Sequence, residues 1–139
     1  YATTLDGLAT SAKYADLAEN YLADNAYEIG TVLVFGGAEE LTVTDKKGDR
    51  KVAGVVSENP GYLMNKGLEG DNVVALALQG RVPVKVVGIV KKGDLLVAAS
   101  TKGYAITNNQ AGVGTVIGKA ISTKDDAGKG VVEAVVGRV

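Results

Sequence analysis

Short runs of apolar residues, separated by polar and glycine-rich clusters, cover the chain from Gly30 to its C-terminal end. The runs are about four to eight residues long and rich in valine, a pattern typical of β-strands, and turn residues recur about every ten positions. This spacing leaves no room for helices between strands. It predicts an all-β fold, a small and mostly antiparallel barrel or sandwich. The predicted strands are residues 31–35, 41–44, 52–57, 73–78, 81–90, 95–98, 115–121 and 131–138.

The connections between the runs carry signals for turns and bends. Residues 44–51 and 122–130 are predicted hairpins, because each is polar and has a late glycine that can adopt a positive φ. A bend is predicted at Gly88, since the apolar positions change parity after Val86 and such a change implies a bulge. Pro83 cannot donate to a strand ladder, so its strand is predicted to lie at an edge there or beside a bulge.

Two predicted strands, residues 73–78 and 131–138, are apolar on both faces. In a domain of this size, one face of a strand normally meets water unless a second layer covers it. We therefore expect other subunits to provide part of the covering, with Val132 and Val136 as candidate interface residues.

The first 29 residues have a different pattern, and we expect them to form an N-terminal arm or helical linker before a β domain over residues 30–139. Apolar residues there recur at spacings of about three, four and seven, which predicts a short helix over residues 12–22. An extended arm lying on a neighbouring subunit is the alternative. Neither form buries its apolar side chains alone, because isolated helices shorter than about 12 to 15 residues are marginal. The candidate interface residues of this segment are Leu5, Leu8, Ala12, Leu17 and Leu22.

The composition limits the chemistry of the chain. It has no Cys and no His, which excludes disulfides, Cys nucleophiles, imidazole bases and nearly all transition-metal sites. Carboxylates, Lys, Tyr, Ser and Thr remain, but their spacing does not indicate that any two converge. We therefore assign no catalytic, cofactor-binding or metal-binding residue, expect no cofactor and predict that the chain is not an enzyme.

Charge and length narrow the class of protein further. The 15 Lys and Arg residues are scattered and nearly balance the 16 Asp and Glu residues, so no electrostatic footprint for nucleic acid is present. No run approaches the roughly 20 apolar residues that cross a bilayer, so we expect no membrane insertion. The 139 residues suit one ordinary domain. Because the chain begins with Tyr1 rather than Met, we expect a fragment or a processed product.

Two glycine-containing motifs are interpreted as turns. Residues 112–118 have the spacing G-x-G-x-x-x-G with no helix pattern after them, so a tight turn before a strand is favoured over phosphate binding. In residues 123–130 two adjacent carboxylates could hold a cation, but the alternating oxygen ligands of a calcium loop are missing. A solvated hairpin tip is the favoured interpretation there.

The segment after residue 57 leaves its strand abruptly. Asn59 precedes Pro60 and must be extended, and the sequence Pro60-Gly61 favours a type II turn. The residues that follow either fold back as a lid over one end of the barrel or form an exposed contact patch. Tyrosines and asparagines elsewhere could add to such a surface. The candidate contact residues are Tyr62, Leu63, Met64, Asn65, Tyr104, Asn108 and Asn109.

A string of phrases along the chain resembles a β-structured module in the structural proteins of tailed bacteriophages, especially the C-terminal parts of tail fibres and related virion proteins. The phrases span nearly the whole chain and include YADLAENYLADNAYEIGTVLVFGG, RKVAGVVSENPGYLMN, ALQGRVPVKVVGIVKKGDLLVAAS, GTVIGKAIS and GVVEAVVGRV. The opening ATTLDGLATSAKYADLAE is similar to the repetitive linker that precedes this module.

The resemblance implies a non-enzymatic fibre or appendage component of the virion, assembled in the host cytoplasm as a homotrimer whose N-terminal segment connects to a shaft. Its partners would be other copies of itself, other virion proteins and a host surface receptor. The strand with its GVVSENP turn and the GDLLV hairpin are also similar to self-cleaving intramolecular chaperone domains, which cut themselves from finished appendages by carboxylate and amide chemistry. The phrase VKKGDLLV also resembles capsid decoration proteins. Self-processing and capsid decoration are therefore the alternatives to a fibre module.

Overall fold

The computed structural model of the chain describes residues 16–137, which form ten strands and no helix. The strands are β1 (Leu17–Leu22), β2 (Val32–Phe35), β3 (Leu41–Val43), β4 (Val52–Val56), β5 (Tyr62–Met64), β6 (Val73–Val87), β7 (Leu95–Ala98), β8 (Ala105–Thr107), β9 (Val116–Ala120) and β10 (Lys129–Val136). The all-β prediction is confirmed. Within these residues, no helix is long and apolar enough to cross a membrane.

Strand β6 organises the fold because its 15 residues take part in two sheets. The first half, from Val73 to Gln79, pairs antiparallel with β1. The second half, from Gly80 to Val87, pairs antiparallel with β10. The strand passes from one sheet to the other at Gly80, whose φ of 120° is a conformation that favours glycine.

The second half of β6 closes a five-stranded barrel. Its strands follow one another in the order β6, β10, β9, β7 and β8, and β8 pairs with β6 again. Val82, Val84 and Val86 are fully buried in the barrel core, as the two-residue period of a strand requires. Complete burial of one valine or leucine side chain contributes about 1.5–3 kcal/mol.

The first half of β6 belongs to another sheet, called here the first sheet, which also curves. β4, β2 and β3 follow β6 on one side, and β1 and then β5 follow it on the other. An isolated bridge between Ala23 and Leu41 brings the end of β1 to β3, so the first sheet curls back on itself. Its separate core includes the fully buried Leu33, Leu41 and Leu76.

The two cores explain why β6 is apolar on both faces at its start. Leu76 packs into the core of the first sheet, and the next residue, Ala77, packs into the barrel core. Strand β10 differs, because only one of its faces is covered. Val132 and Val136 are each 2% exposed in the barrel core, which corrects the expectation that they contact another subunit. Val131, on the opposite face of the strand, is 60% exposed.

The helix predicted over residues 12–22 is wrong where the structure describes it, because Leu17–Leu22 is strand β1. Residues 12–15 lie outside the described part. The extended conformation that the sequence left open is the correct one for β1, although β1 lies on β6 of its own chain. Pairing across the sheet outweighed a spacing that also suits a helix. The division between an arm and a β domain at residue 29 stays a prediction.

The predicted connections have different outcomes. Residues 122–130 join the antiparallel strands β9 and β10, so this hairpin is confirmed. Residues 44–51 are not a hairpin, because β3 and β4 lie on opposite sides of β2. The strands predicted at 73–78 and 81–90 are the single strand β6. The short strands β5 and β8 were not predicted.

The end of β6 shows a bend without the predicted change of parity. The strand ends at Val87, and Gly88 has a φ of 89°, as a bend requires. Val90 is fully buried and has the same parity as Val86, whereas Ile89 is 52% exposed. The glycine therefore turns the chain without exchanging the buried and exposed faces.

Candidate functional site

The predicted contact segment after Pro60 is an edge strand. β5 pairs in parallel with β1, with Tyr62 opposite Leu17 and Met64 opposite Glu19. The Tyr62 side chain is 62% exposed, and Leu63 and Met64 are half-buried. Among the described strands β5 pairs only with β1, so its second edge offers backbone groups as well as side chains to a partner.

Asn65 ends this strand with a φ of 60°, the positive-φ region that asparagine tolerates better than most residues. Its amide Nδ2 donates a hydrogen bond to the Asn20 carbonyl oxygen at 3.2 Å. The exposed Asn65 therefore also fastens the end of β5 to β1, and its side chain has a structural role.

A buried polar pair fixes the start of β1. The Ser57 hydroxyl donates to Asp16 Oδ2 at 2.8 Å, and the two residues are 6% and 3% exposed. The Asp16 carbonyl oxygen accepts hydrogen bonds from the amides of Gly61 and Tyr62, at 3.0 and 3.2 Å. Burial raises the pKa of the Asp16 carboxyl, and the Ser57 hydrogen bond acts in the opposite direction. This pair joins β1 to the end of β4.

Replacing Asp16 with Asn is expected to stabilise the protein relative to the wild type at neutral pH. A raised folded-state pKa means that folded Asp16 holds its proton more tightly than unfolded Asp16. The raised pKa therefore contributes to the free energy of unfolding at low pH. This contribution is fully present below the ordinary pKa of 3.8 and is lost as pH rises through the folded-state pKa. The amide keeps an acceptor for Ser57 but does not ionise, so the advantage of the variant shrinks as pH falls.

The measurement is the free energy of unfolding of both proteins over a series of pH values. Asp45→Asn, at an exposed carboxylate in the 44–51 connection, controls for the change in net charge. Ser57→Ala leaves the buried carboxyl without its hydroxyl donor and is expected to cost about 1–3 kcal/mol. A difference between Asp16→Asn and wild type that does not change with pH would contradict this account.

A second surface surrounds Tyr104 in the barrel. The Lys85 and Lys129 ammonium groups lie 4.6 and 5.1 Å from the centre of the Tyr104 ring, within the range of cation–π attraction. Beside them, Ile29 and Val131 are 46% and 60% exposed. These residues and Glu28 line a shallow depression of about 270 Å³, called here the Tyr104 groove.

The two lysines of the Tyr104 groove differ in their ion-pair partners. Lys85 Nζ donates to Glu28 Oε1 at 2.7 Å and to the Thr31 hydroxyl at 3.3 Å. This hydrogen bond and the positive charge lower the pKa of the Glu28 carboxyl. Lys129 is exposed and forms no ion pair with any side chain of residues 16–137. The groove therefore presents one uncompensated ammonium group next to exposed apolar side chains.

The remaining contact candidates, Asn108 and Asn109, hold turns together. Asn109 Oδ1 accepts from the Leu95 amide at 2.8 Å, and its Nδ2 donates to Asp94 Oδ1 at 3.0 Å. The hydrogen bond from Asn109 is the main reason why the pKa of the Asp94 carboxyl is lowered. Asn108 Oδ1 accepts from the Gln110 amide at 3.0 Å. Both asparagines are exposed, but these hydrogen bonds restrain their side chains.

In the hairpin that could have held a metal cation, the Lys124 ammonium group occupies the centre of a cluster of carbonyl oxygens. Lys124 Nζ donates to the carbonyl oxygens of Gly88 and Asp126, at 3.0 and 2.7 Å, and to that of Gly128. It also forms an ion pair with Asp126 Oδ1 at 2.9 Å, which lowers the pKa of that carboxyl. The Lys124 side chain is only 8% exposed. Elsewhere in residues 16–137, no group of three His, Cys, Asp or Glu side chains is placed to hold a metal ion.

A solved structure with a similar fold comes from a bacteriophage. The C-terminal fragment of gene product 12 of bacteriophage phi29 matches with a TM-score of 0.62 and 16% sequence identity, over 87% of this chain and 99% of that chain. The two chains share one fold. The N base of head fibre gp8.5 of bacteriophage phi29 matches with a TM-score of 0.49 and 16% identity, over 88% of this chain and 89% of that chain. No family model and no curated relative matches the chain.

This likeness confirms, at the level of the fold, the resemblance to β-modules of phage appendage proteins.

The candidate contact residues divide between two surfaces. Tyr62 to Asn65 lie along the edge of the first sheet, whereas Tyr104 precedes β8 in the barrel. The structure therefore places them in different sheets.

The interface candidates from the N-terminal segment also divide. Leu5, Leu8 and Ala12 lie outside the described residues. Leu17 and Leu22 are half-buried in β1, and a Cβ atom added at Gly70 would lie 2.4 Å from Leu22 Cδ2. The loop around Gly70 thus covers the end of Leu22, and its role in a subunit contact stays a prediction.

Proposed function

We propose that this chain is a non-enzymatic structural module of a phage virion, part of a tail fibre or appendage, and that it acts as a homotrimer. The observation that carries the proposal is the match to the gene product 12 fragment, which covers 99% of that fragment and 87% of this chain. The sequence resemblance to fibre and appendage modules points the same way. Other copies of the chain and other virion proteins would be its partners.

The properties of the described residues support a structural role. The hydrogen-bonded pair of the Ser57 hydroxyl and the Asp16 carboxyl is almost completely buried and joins β1 to the end of β4. An external substrate cannot reach it without opening that contact. Short strands around two apolar cores suit a rigid terminus that presents its surfaces at fixed positions.

The composition of purified phage particles tests the location. A fibre or appendage module is expected in intact particles at a copy number that is a multiple of three, and in the tail fraction after heads and tails are separated. Binding to empty heads would indicate capsid decoration instead. Absence from washed particles would contradict a virion role of either kind.

Host attachment is the finer part of the proposal, and the edge strand β5 carries Tyr62, the most exposed aromatic side chain of residues 16–137. Three copies of a weak contact at one tip would bind a host surface by avidity. Replacing Tyr62 and Met64 with alanine is expected to lower cell-surface binding at least about tenfold, because each of three contacts is weakened. Val113→Ala, at an exposed apolar side chain outside both candidate surfaces, is the matched control and is expected to leave binding unchanged. Unchanged binding by the Tyr62 and Met64 variant, with its assembly intact, would exclude β5 as the receptor contact.

A further inference from the structure

Two exposed surfaces of the chain have opposite charge, and each carries exposed apolar side chains. The first is the Tyr104 groove, where Ile29 and Val131 are exposed beside the Lys129 ammonium, which has no ion-pair partner among residues 16–137. Its volume of about 270 Å³ lies below the roughly 300–1,000 Å³ of small-molecule pockets. Exposed apolar side chains around a shallow aromatic surface are more typical of the centre of a protein interface.

The second surface lies on the first sheet and is acidic and aromatic. Tyr21 and Phe35 meet edge to face, with ring centres 6.0 Å apart, and Phe35 is 45% exposed. The Tyr21 hydroxyl donates to Glu19 Oε1 at 3.3 Å. Glu40 Oε1 accepts a hydrogen bond from the Leu22 amide at 2.9 Å, which places this second acid beside the residue that follows Tyr21 in β1. Burial and then the carboxylates of Glu19 and Glu40 raise the pKa of Tyr21. Glu19, Tyr21, Phe35 and Glu40 are called here the acidic aromatic patch.

We propose that the Tyr104 groove of one copy binds the acidic aromatic patch of the next copy. The proposal rests on the self-assembly in the proposed function and names the surfaces that perform it. The exposed ring of Phe35 would cover Ile29 and Val131, and the Lys129 ammonium would meet the Glu19 carboxylate. A second copy is the favoured occupant because the chain itself carries a patch with the complementary charge and apolar content.

The placement of the two surfaces sets the type of assembly. Glu19 and Tyr21 belong to β1 of the first sheet, whereas Lys85, Lys129 and Val131 belong to strands of the barrel. Two different surfaces of one chain form a heterologous contact, in which every copy uses both. Such contacts close into a ring when the rotation between copies allows it, and a closed ring of three copies satisfies every groove and every patch.

Charge reversal tests the contact. In Lys129→Glu the groove repels the patch, and in Glu19→Lys the patch repels the groove, so each single variant is expected to associate about 10- to 100-fold more weakly than wild type. The double variant restores opposite charges at every contact and is expected to recover most of the association. Light scattering at several concentrations measures the association, and denaturation midpoints show that each variant is folded.

The controls separate this proposal from the proposed function. Lys47→Glu makes the same charge change at an exposed turn and is expected to assemble as wild type does. If wild type is trimeric and both folded single variants stay trimeric, the contact is wrong while the proposed assembly stands. If the double variant does not recover, the charge pairing is wrong. If wild type is monomeric at all concentrations, both the contact and the proposed assembly are wrong.

Discussion

Replacing Gly118 with alanine is expected to cost more than about 4 kcal/mol of the free energy of unfolding, a large part of the 5–15 kcal/mol typical of a natural domain. A Cβ atom at this position would lie 2.3 Å from the Val135 carbonyl oxygen and 3.0 Å from its carbonyl carbon. Both are backbone atoms of β10, which is itself paired with β6 on its other side. Because β10 cannot move without breaking the barrel, the added methyl group has no space to relax into.

Chemical denaturation followed by circular dichroism measures this effect. Gly112→Ala is the matched control, because no atom lies within 4 Å of a Cβ added there. That variant is expected to stay within about 0.5 kcal/mol of wild type, as most surface substitutions do. Equal stability of the two variants would show that β9 and β10 are not packed as closely as described.

Replacing Lys124 with methionine is expected to destabilise the protein by about 2–4 kcal/mol, because three carbonyl oxygens lose a charged donor that water does not readily replace. Methionine keeps most of the apolar stem but has no donor. The stem itself is closely packed, since a Cβ atom added at Gly130 would lie 2.6 Å from Lys124 Cε. The loss is therefore expected to fall on the hairpin of residues 122–130 and the adjacent end of β6.

Lys119→Met on the exposed face of β9 serves as the control for removing one positive charge. Its free energy of unfolding is expected to change by no more than about 0.5 kcal/mol. Hydrogen exchange of the amides of Val90 and Lys124, which pair with each other between the end of β6 and the hairpin, reports the local effect. If Lys124→Met is as stable as Lys119→Met, the enclosed ammonium group does not stabilise the hairpin.

Most of the valine-rich strands could be predicted from the sequence, because a two-residue period and glycine turns are local signals. β1 could not, since its sequence LAENYL alternates poorly and its conformation depends on β6, more than fifty positions further along the chain. β5 and β8 have three residues each, too few for any period to show. The double-sided apolar pattern of β6 was visible, but its cause, one strand shared by two cores, depends on the closed topology.

The candidate sites show the same division between local and long-range information. The Pro60-Gly61 turn is a local signal that the chain leaves its strand there, but it left a lid and an exposed patch as alternatives, and the exposure of Tyr62 was known only from the structure. The Tyr104 groove joins Glu28, Lys85 and Lys129, which are far apart in sequence, and only the pairing of β6 with β10 brings the two lysines together. The sequence drew attention to the two adjacent carboxylates of the 122–130 hairpin. The Lys124 ammonium group is held mainly by backbone carbonyl oxygens, which the sequence does not reveal because every residue has one.

The assembly state of the purified chain tests the central claim most directly. Light scattering on a size-exclusion column, with intact mass spectrometry of the peak, gives the number of copies and shows whether the chain is unclipped. A structural module that acts as a homotrimer is expected to elute at three times the mass of the intact chain. A monomer at every concentration would contradict the claim, and the exposed apolar residues around Tyr104 would then need a different partner.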